Sequence, residues 1–283
     1  MGIFDFFKNK EIVAKNTEKE LAIKITSTEQ GSHGDHFGGL LGFPLLHSEK
    51  GAELVYKLIQ FAEEHPPTIQ EGVMNLRDAV LNEFDKITRK IQVRIIHTGS
   101  NIPSAFPYLK TDLQLPFKME EIIEWSHTDG LEAEVCGQGR DAFSVGFFAT
   151  DYAVNHRKYK EQSEWNIKLS AICLSLEKPN LDSTEDSGEL RFSKDFAMYM
   201  PNTGLPGKSY YDFIGTLISV EEIIVLNEPH IAGFMTKIKL IHGETTDFFT
   251  IDMFVNKSNI QIDSPQEGMS VSGSLWLQGE ISS

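Results

Sequence analysis

Two imidazoles and a carboxylate fall within four residues at His33-Gly34-Asp35-His36. Imidazole and carboxylate are ligands for zinc or manganese, and a metal held there would activate water for hydrolysis. The flanking glycines could let the three side chains converge. A complete site needs a further ligand, and no spacing selects among His47, His97 and His127. The alternative is a solvated loop with incidental histidines. Its continuation, Phe37-Gly38-Gly39-Leu40-Leu41-Gly42-Phe43-Pro44, has an apolar half that argues for packing on the core or gating a pocket.

Asn202-Thr203-Gly204-Leu205-Pro206-Gly207-Lys208-Ser209 ends like a phosphate-binding loop, but Asn202 stands where the first glycine belongs. The residues that follow, Tyr210-Tyr211-Asp212-Phe213, read as a strand. A helix is needed there, so that its N–H groups and dipole face the phosphates. The segment reads as a linker. Gly137-Gln138-Gly139 lacks the third glycine and the helix of a dinucleotide fingerprint and reads as a hairpin turn, with Arg140 and Asp141 at its tip. No Gly-x-Ser-x-Gly elbow occurs. The acid pairs Glu63-Glu64, Glu120-Glu121 and Glu221-Glu222 read as solvated charges. No catalytic residue and no cofactor is assigned.

The formal net charge is −15, of which −6 falls within residues 206–283. Phosphate backbones and anionic lipid repel such a surface, which argues against nucleic acid. A basic protein partner is compatible with it. The one basic cluster, His156-Arg157-Lys158-Tyr159-Lys160, reads as a loop that pairs with the acidic stretch 182–186. The cysteines, Cys136 and Cys173, belong to no Cys-x-x-Cys motif and read as reduced core thiols of a cytoplasmic protein. Residues 1–10 read as a short amphipathic segment docked on the protein. No apolar run is long enough for a membrane span.

These residues must be positioned by an α+β body. Residues 48–64 carry apolar positions at helical spacing and end at Pro66-Pro67. Thr68-Ile69-Gln70-Glu71 resembles a capping box, and Val73, Leu76, Val80, Phe84 and Ile87 follow at helical spacing. The expectation is a helical hairpin within an N-terminal region 1–89, and a further short helix at 119–125. A strand-rich middle domain, 90–200, follows, with strands expected at 91–97, 131–136, 143–154, 167–176 and 190–200. The third domain, 206–283, holds four long strands. Bends at Gly215 and Gly273 could close them into a five-strand, OB-like barrel, and an open antiparallel sheet packed on the middle region is the alternative.

In the last strand Met269, Val271, Leu275, Leu277 and Ile281 alternate with polar residues, except that Trp276 stands on the polar face. Phe248 and Phe254 break the pattern of the neighbouring strand in the same way. Either another part of the chain covers these aromatics, or they form an exposed patch for a partner. The functional expectation is a non-enzymatic binding or adaptor protein, inhibitor or immunity-type included, that uses a β-sheet surface with Trp276, Phe248 and Phe254. The second expectation is a metal-assisted hydrolase built on His33, Asp35 and His36.

Overall fold

A computed structural model describes residues 23–83, 90–139, 143–179, 196–227, 229–241 and 249–282. The segment 1–10, Arg140, Asp141, the acidic stretch 182–186 and Phe248 lie outside the described residues. Among the described residues, no helix is long and apolar enough to cross a membrane.

The chain is mostly strand. It runs β1 (Lys24–Thr28), α1 (Gly34–Leu41), α2 (Phe43–Leu46), α3 (Glu49–Glu64), β2 (Ile69–Glu71), β3 (Met74–Glu83), β4 (Lys90–Thr98), β5 (Asn101–Lys110) and β6 (Gln114–Trp125). Then follow β7 (Ala133–Gly139), β8 (Ser144–Ala149), α4 (Tyr152–Glu161), β9 (Glu164–Glu177), β10 (Met198–Pro201), β11 (Tyr210–Leu226), β12 (Ile231–Ile241), β13 (Phe249–Asn256) and β14 (Ser270–Ile281). Strands β2 to β5 form a four-stranded antiparallel sheet, and the others form one ten-stranded mixed sheet.

The helical hairpin expected at the N-terminus is not present; only its first helix forms. Ser48 caps α3 by accepting the Gly51 N–H at 3.1 Å, and His65 ends it ahead of Pro66. The second half is the hairpin of β2 and β3, turned at Gly72 with φ +61°. Thr68 caps no helix; its N–H and hydroxyl both donate to the Leu76 carbonyl. The physical reason lies in β4, whose residues Ile91–His97 are all buried. Such a strand needs ladder partners on both edges, and β3 supplies one, Leu76 standing opposite Ile96. Residues 119–125 likewise belong to β6. A bulge between Met119 and Glu121 shifts the alternation, so that buried Met119 and Ile122 fall at a helix-like spacing.

The five-strand barrel and the open antiparallel sheet expected for 206–283 are also corrected, because these strands join a ten-stranded mixed sheet. Four strands do occur after residue 209, but β9 stands between β13 and β14, parallel to the first and antiparallel to the second. On its other edge β14 pairs first with β11 and then with β8. The ladder therefore returns on itself twice, through β9-β13-β12-β11-β14 and through β9-β6-β7-β8-β14. Both rings share the β9–β14 ladder. Gly273 is required within it, because a Cβ there would lie 1.9 Å from the Ser175 carbonyl oxygen.

The shared strands are buried on both faces. Val271, Leu275 and Leu277 of β14 join Ile251, Met253 and Val255 of β13 in one core. Trp276 and Phe254 point the other way, into a second core with Phe106 and Leu109 of β5, Leu40 and Leu41 of α1 and Leu54 of α3. The four-stranded sheet, α1 and α3 thus cover the face that looks polar in sequence.

Candidate functional site

Residues 34–41, expected as a loop, form a helix that is buried from His36 to Leu41. Gly38 and Gly39 within it serve close approach rather than flexibility. A Cβ on Gly39 would lie 2.6 Å from Ile172 of β9. Asn256 and Asn259 donate to the carbonyls of Leu40 and Gly38, at 2.8 and 3.1 Å, and hold the helix end.

This helix delivers two histidines to the seam between the sheets. His33 Nδ1 and His36 Nδ1 lie 2.7 Å apart. His33 Nε2 lies 2.6 Å from Glu132 Oε1, and His36 Nε2 lies 2.6 Å from the Tyr210 hydroxyl. Ser104 donates its hydroxyl to the same Glu132 oxygen at 2.5 Å. With both imidazoles neutral and Glu132 ionised, only one proton assignment satisfies every contact. Tyr210 donates to His36, His36 donates through Nδ1 to His33, and His33 donates through Nε2 to Glu132. Burial, and secondarily His33, lowers the basicity of His36 well below the ordinary histidine range. Burial likewise raises the Tyr210 hydroxyl, so that it keeps the proton it donates.

Aromatic rings enclose this chain. His33 lies 5.1–5.2 Å from Phe106, Trp125 and Phe148, and His36 stacks on Trp276. Glu132, His36 and Tyr210 are buried, and the His33 side chain is 12% exposed. The structure therefore brings His33 and His36 together without Asp35. All four ring nitrogens have protein partners. Among the described residues, no three His, Cys, Asp or Glu side chains are arranged to hold a metal ion. Trp276 and Phe254, each 0% exposed, offer a partner no surface.

The phosphate-loop look-alike also holds an anion, its own. The N–H groups of Lys208 and Ser209 and the Ser209 hydroxyl donate to the Glu134 carboxylate at 2.8, 3.1 and 2.6 Å. Gly207, with φ +113°, leaves room for it, since a Cβ would lie 2.5 Å from Glu134 Oε1. Burial nevertheless raises the Glu134 carboxyl.

No family model, curated protein or solved structure matches this chain.

A second buried cluster is ionic. Arg94 of β4 makes a bidentate pair with Asp78 of β3, at 2.7 and 2.9 Å, and lies 4.0 Å over the Tyr108 ring. One of its Nη atoms reaches Glu280 of β14 at 3.4 Å, so the pair bridges both sheets. The basic cluster lies on helix α4 rather than a loop. Lys160 pairs with Glu124 at 2.8 Å, and the Tyr159 hydroxyl donates to Asp151. Both cysteines are free; burial pushes the Cys136 thiol up to about 12 and raises Cys173 too, so neither is an activated nucleophile. Gly137 and Gly139 stand inside β7 instead of forming a turn.

An open groove of about 900 Å³ runs over β6, β7 and the start of β9. Gln114, Lys118, Gln138, Gln162, Glu164 and Asn166 line it, and all six are exposed. Half-buried Trp165 also borders it, with its Nε1–H donated to the Gln162 carbonyl at 3.0 Å. The groove and the histidine chain lie at opposite ends of β7. Gln138 stands six positions beyond Glu132, the residue that precedes β7, about 20 Å along the chain.

Sequence reasoning missed Glu132, Tyr210 and Ser104, and the amides of the groove. Glu132 and Glu134 carried a usable signal, because acids inside an apolar strand run require buried partners. The amides carried none, since surface glutamines are ordinary.

Proposed function

We propose that this chain is a non-enzymatic binding protein that takes up its ligand in the groove over β6, β7 and β9. One observation carries the reading. Among the described residues, the His33, His36, Glu132 and Tyr210 side chains are enclosed and linked by hydrogen bonds, whereas the open groove over β6, β7 and β9 presents amides, a half-buried tryptophan and one charge of each sign. Lys118 and Glu164 stand directly opposite each other across β6 and β9. The histidine chain then serves the fold by fixing α1 between the sheets. Two free thiols without a disulfide favour a reducing compartment such as the cytoplasm. The acidic balance of the chain favours a ligand other than nucleic acid.

The test is a thermal-shift screen of the purified protein against uncharged oligomers and small metabolites. A ligand that binds the native state raises the melting temperature by mass action. The expected result is a hit whose stabilisation is lost on Gln138→Ala and retained on Lys57→Ala, a change on the far helix α3. A hit accompanied by turnover, abolished by His33→Ala in a folded protein, would overturn the reading in favour of an enzyme.

A further inference from the structure

We infer that the aromatic cage around His33 is a site for a small organic cation, which this chain fills with its own imidazole. The walls are the first argument. The His33 ring centroid lies 5.1 Å from that of Phe106, 5.2 Å from those of Trp125 and Phe148 and 6.2 Å from that of Trp276. All four walls are buried, and they come from β5, β6, β8 and β14, so strands of both sheets hold them in place. An aromatic face attracts a cation within about 6 Å of its centre, and several rings around one point make the cages that take methylated ammonium ions.

Glu132 is the second argument. Its carboxylate meets the cage occupant directly, Oε1 lying 2.6 Å from His33 Nε2, and the residue is 1% exposed. Oε1 also accepts from Ser104, while Oε2 has no hydrogen-bond partner among the described residues. A buried carboxylate is costly unless a cation or several donors face it. The charge that best complements this cage is therefore positive. His36 also faces the occupant through Nδ1, but burial keeps that imidazole neutral, so it adds no competing positive charge.

The position of His33 is the third argument. It stands at the N-cap of α1, yet its side chain makes no capping bond and lies in the cage instead. The four walls and Glu132 are buried, whereas the His33 side chain is 12% exposed and sits between exposed Ser32 and Gly34. His33 is thus the occupant and also the door. Its outward rotation leaves four rings and a carboxylate around a space of imidazole size. The ligand class is accordingly a compact methylated or delocalised cation, of the size of tetramethylammonium or an imidazolium. The cage and the groove lie at opposite ends of β7, so Gln138→Ala, which tests the groove, leaves the cage untouched.

The test uses the full chain with His33→Gly, which removes the occupant and keeps a residue suited to an N-cap. The probes are tetramethylammonium chloride and 1,3-dimethylimidazolium chloride, with tert-butanol as the uncharged shape control and sodium chloride as the ionic-strength control. The expected result is a saturable rise in melting temperature with at least one of the two cations, above that in sodium chloride. Adding Glu132→Gln keeps the shape and removes the charge, and should weaken that binding about tenfold. Undiminished binding in this double variant, or an equal rise with tert-butanol, would overturn the cation class. No rise beyond the sodium chloride control would overturn the site. Should His33→Gly fail to fold, wild-type protein carrying 13C-labelled histidine decides the matter. Saturable movement of the His33 ring resonance by tetramethylammonium, and not by tert-butanol, would uphold the site, and an unmoved resonance would overturn it.

Discussion

The side-chain amide of Gln278 stands in for a neighbouring strand along the free edge of β5. Its Oε1 accepts the Leu109 N–H at 2.8 Å, and its Nε2 donates to the Pro107 carbonyl at 3.2 Å. Ser170 of β9 completes the substitution by donating to the Leu109 carbonyl at 2.7 Å. Gln278 is 0% exposed, so this edge of the small sheet is sealed against the large one. Gln278→Leu keeps the volume and leaves both backbone groups buried without partners. The expected loss is about 2–4 kcal/mol, the cost of two unsatisfied groups. Urea denaturation should show a lower midpoint with an unchanged slope. A loss under about 0.5 kcal/mol would mean that water replaces the amide.

Acid should weaken the fold through His36. The unfolded histidine takes a proton near pH 6.5, while the buried native one resists it. Above that value both states are neutral, and the stability is fully present. Below it the unfolded state binds the extra proton, and stability falls by up to about 1.4 kcal/mol per pH unit. Asp151 acts in the opposite sense, because burial and Glu280 raise its carboxyl to about 6. The native state takes up that proton before the unfolded state does, which favours folding as pH falls from 6 toward 4. Urea midpoints from pH 7.5 to 5 should therefore fall less steeply in His36→Gln and more steeply in Asp151→Asn. Equal slopes in wild type and His36→Gln would remove His36 from this account.

Which parts of the fold were legible follows from where each element's partners lie. Strand β14 was readable because Val271, Leu275, Leu277 and Ile281 alternate and bury one face. The role of Trp276 was not, because its covering residues, Phe106, Leu40 and Leu54 among them, come from distant segments. Helix α1 was hidden by Gly34, Gly38 and Gly39, which oppose helix locally; packing requires the last two, where a Cβ would lie 2.4 Å from Phe43 and 2.6 Å from Ile172. Met119 and Ile122 simulated a helix because a bulge adds one residue to a period of two. In the histidine chain the pair was visible from spacing, but Glu132, 99 residues from His33, and Tyr210, 174 from His36, were not.

The same histidine chain sets an expectation for metal. Each ring nitrogen of His33 and His36 already has a protein partner, and 2.7 Å between the two Nδ1 atoms is a hydrogen-bond distance. Zinc or manganese added to tag-free, EDTA-treated protein should shift the melting temperature by less than about 1 °C. Stoichiometric metal retained through purification and lost on His33→Ala would instead establish a metal site on α1.

Glu134 offers the sharpest test of the loop that resembles a phosphate site. Its carboxylate accepts two backbone N–H groups and one hydroxyl from Lys208 and Ser209, within the space left by Gly207. Glu134→Ala removes the anion and leaves the donors facing a small polar hollow. The expected destabilisation is about 2–3 kcal/mol in chloride buffer. Inorganic phosphate or sulfate could then occupy the place of the carboxylate, because backbone donors bind any anion of suitable size. The melting temperature of Glu134→Ala should rise with phosphate concentration more than that of wild type, in which the carboxylate already fills the site. Equal salt responses in the two proteins would show that the donors alone do not make an anion site. Glu134→Gln separates charge from shape, since its amide oxygen can still accept and no anion can enter; it should be destabilised less than Glu134→Ala and show no phosphate response beyond that of wild type.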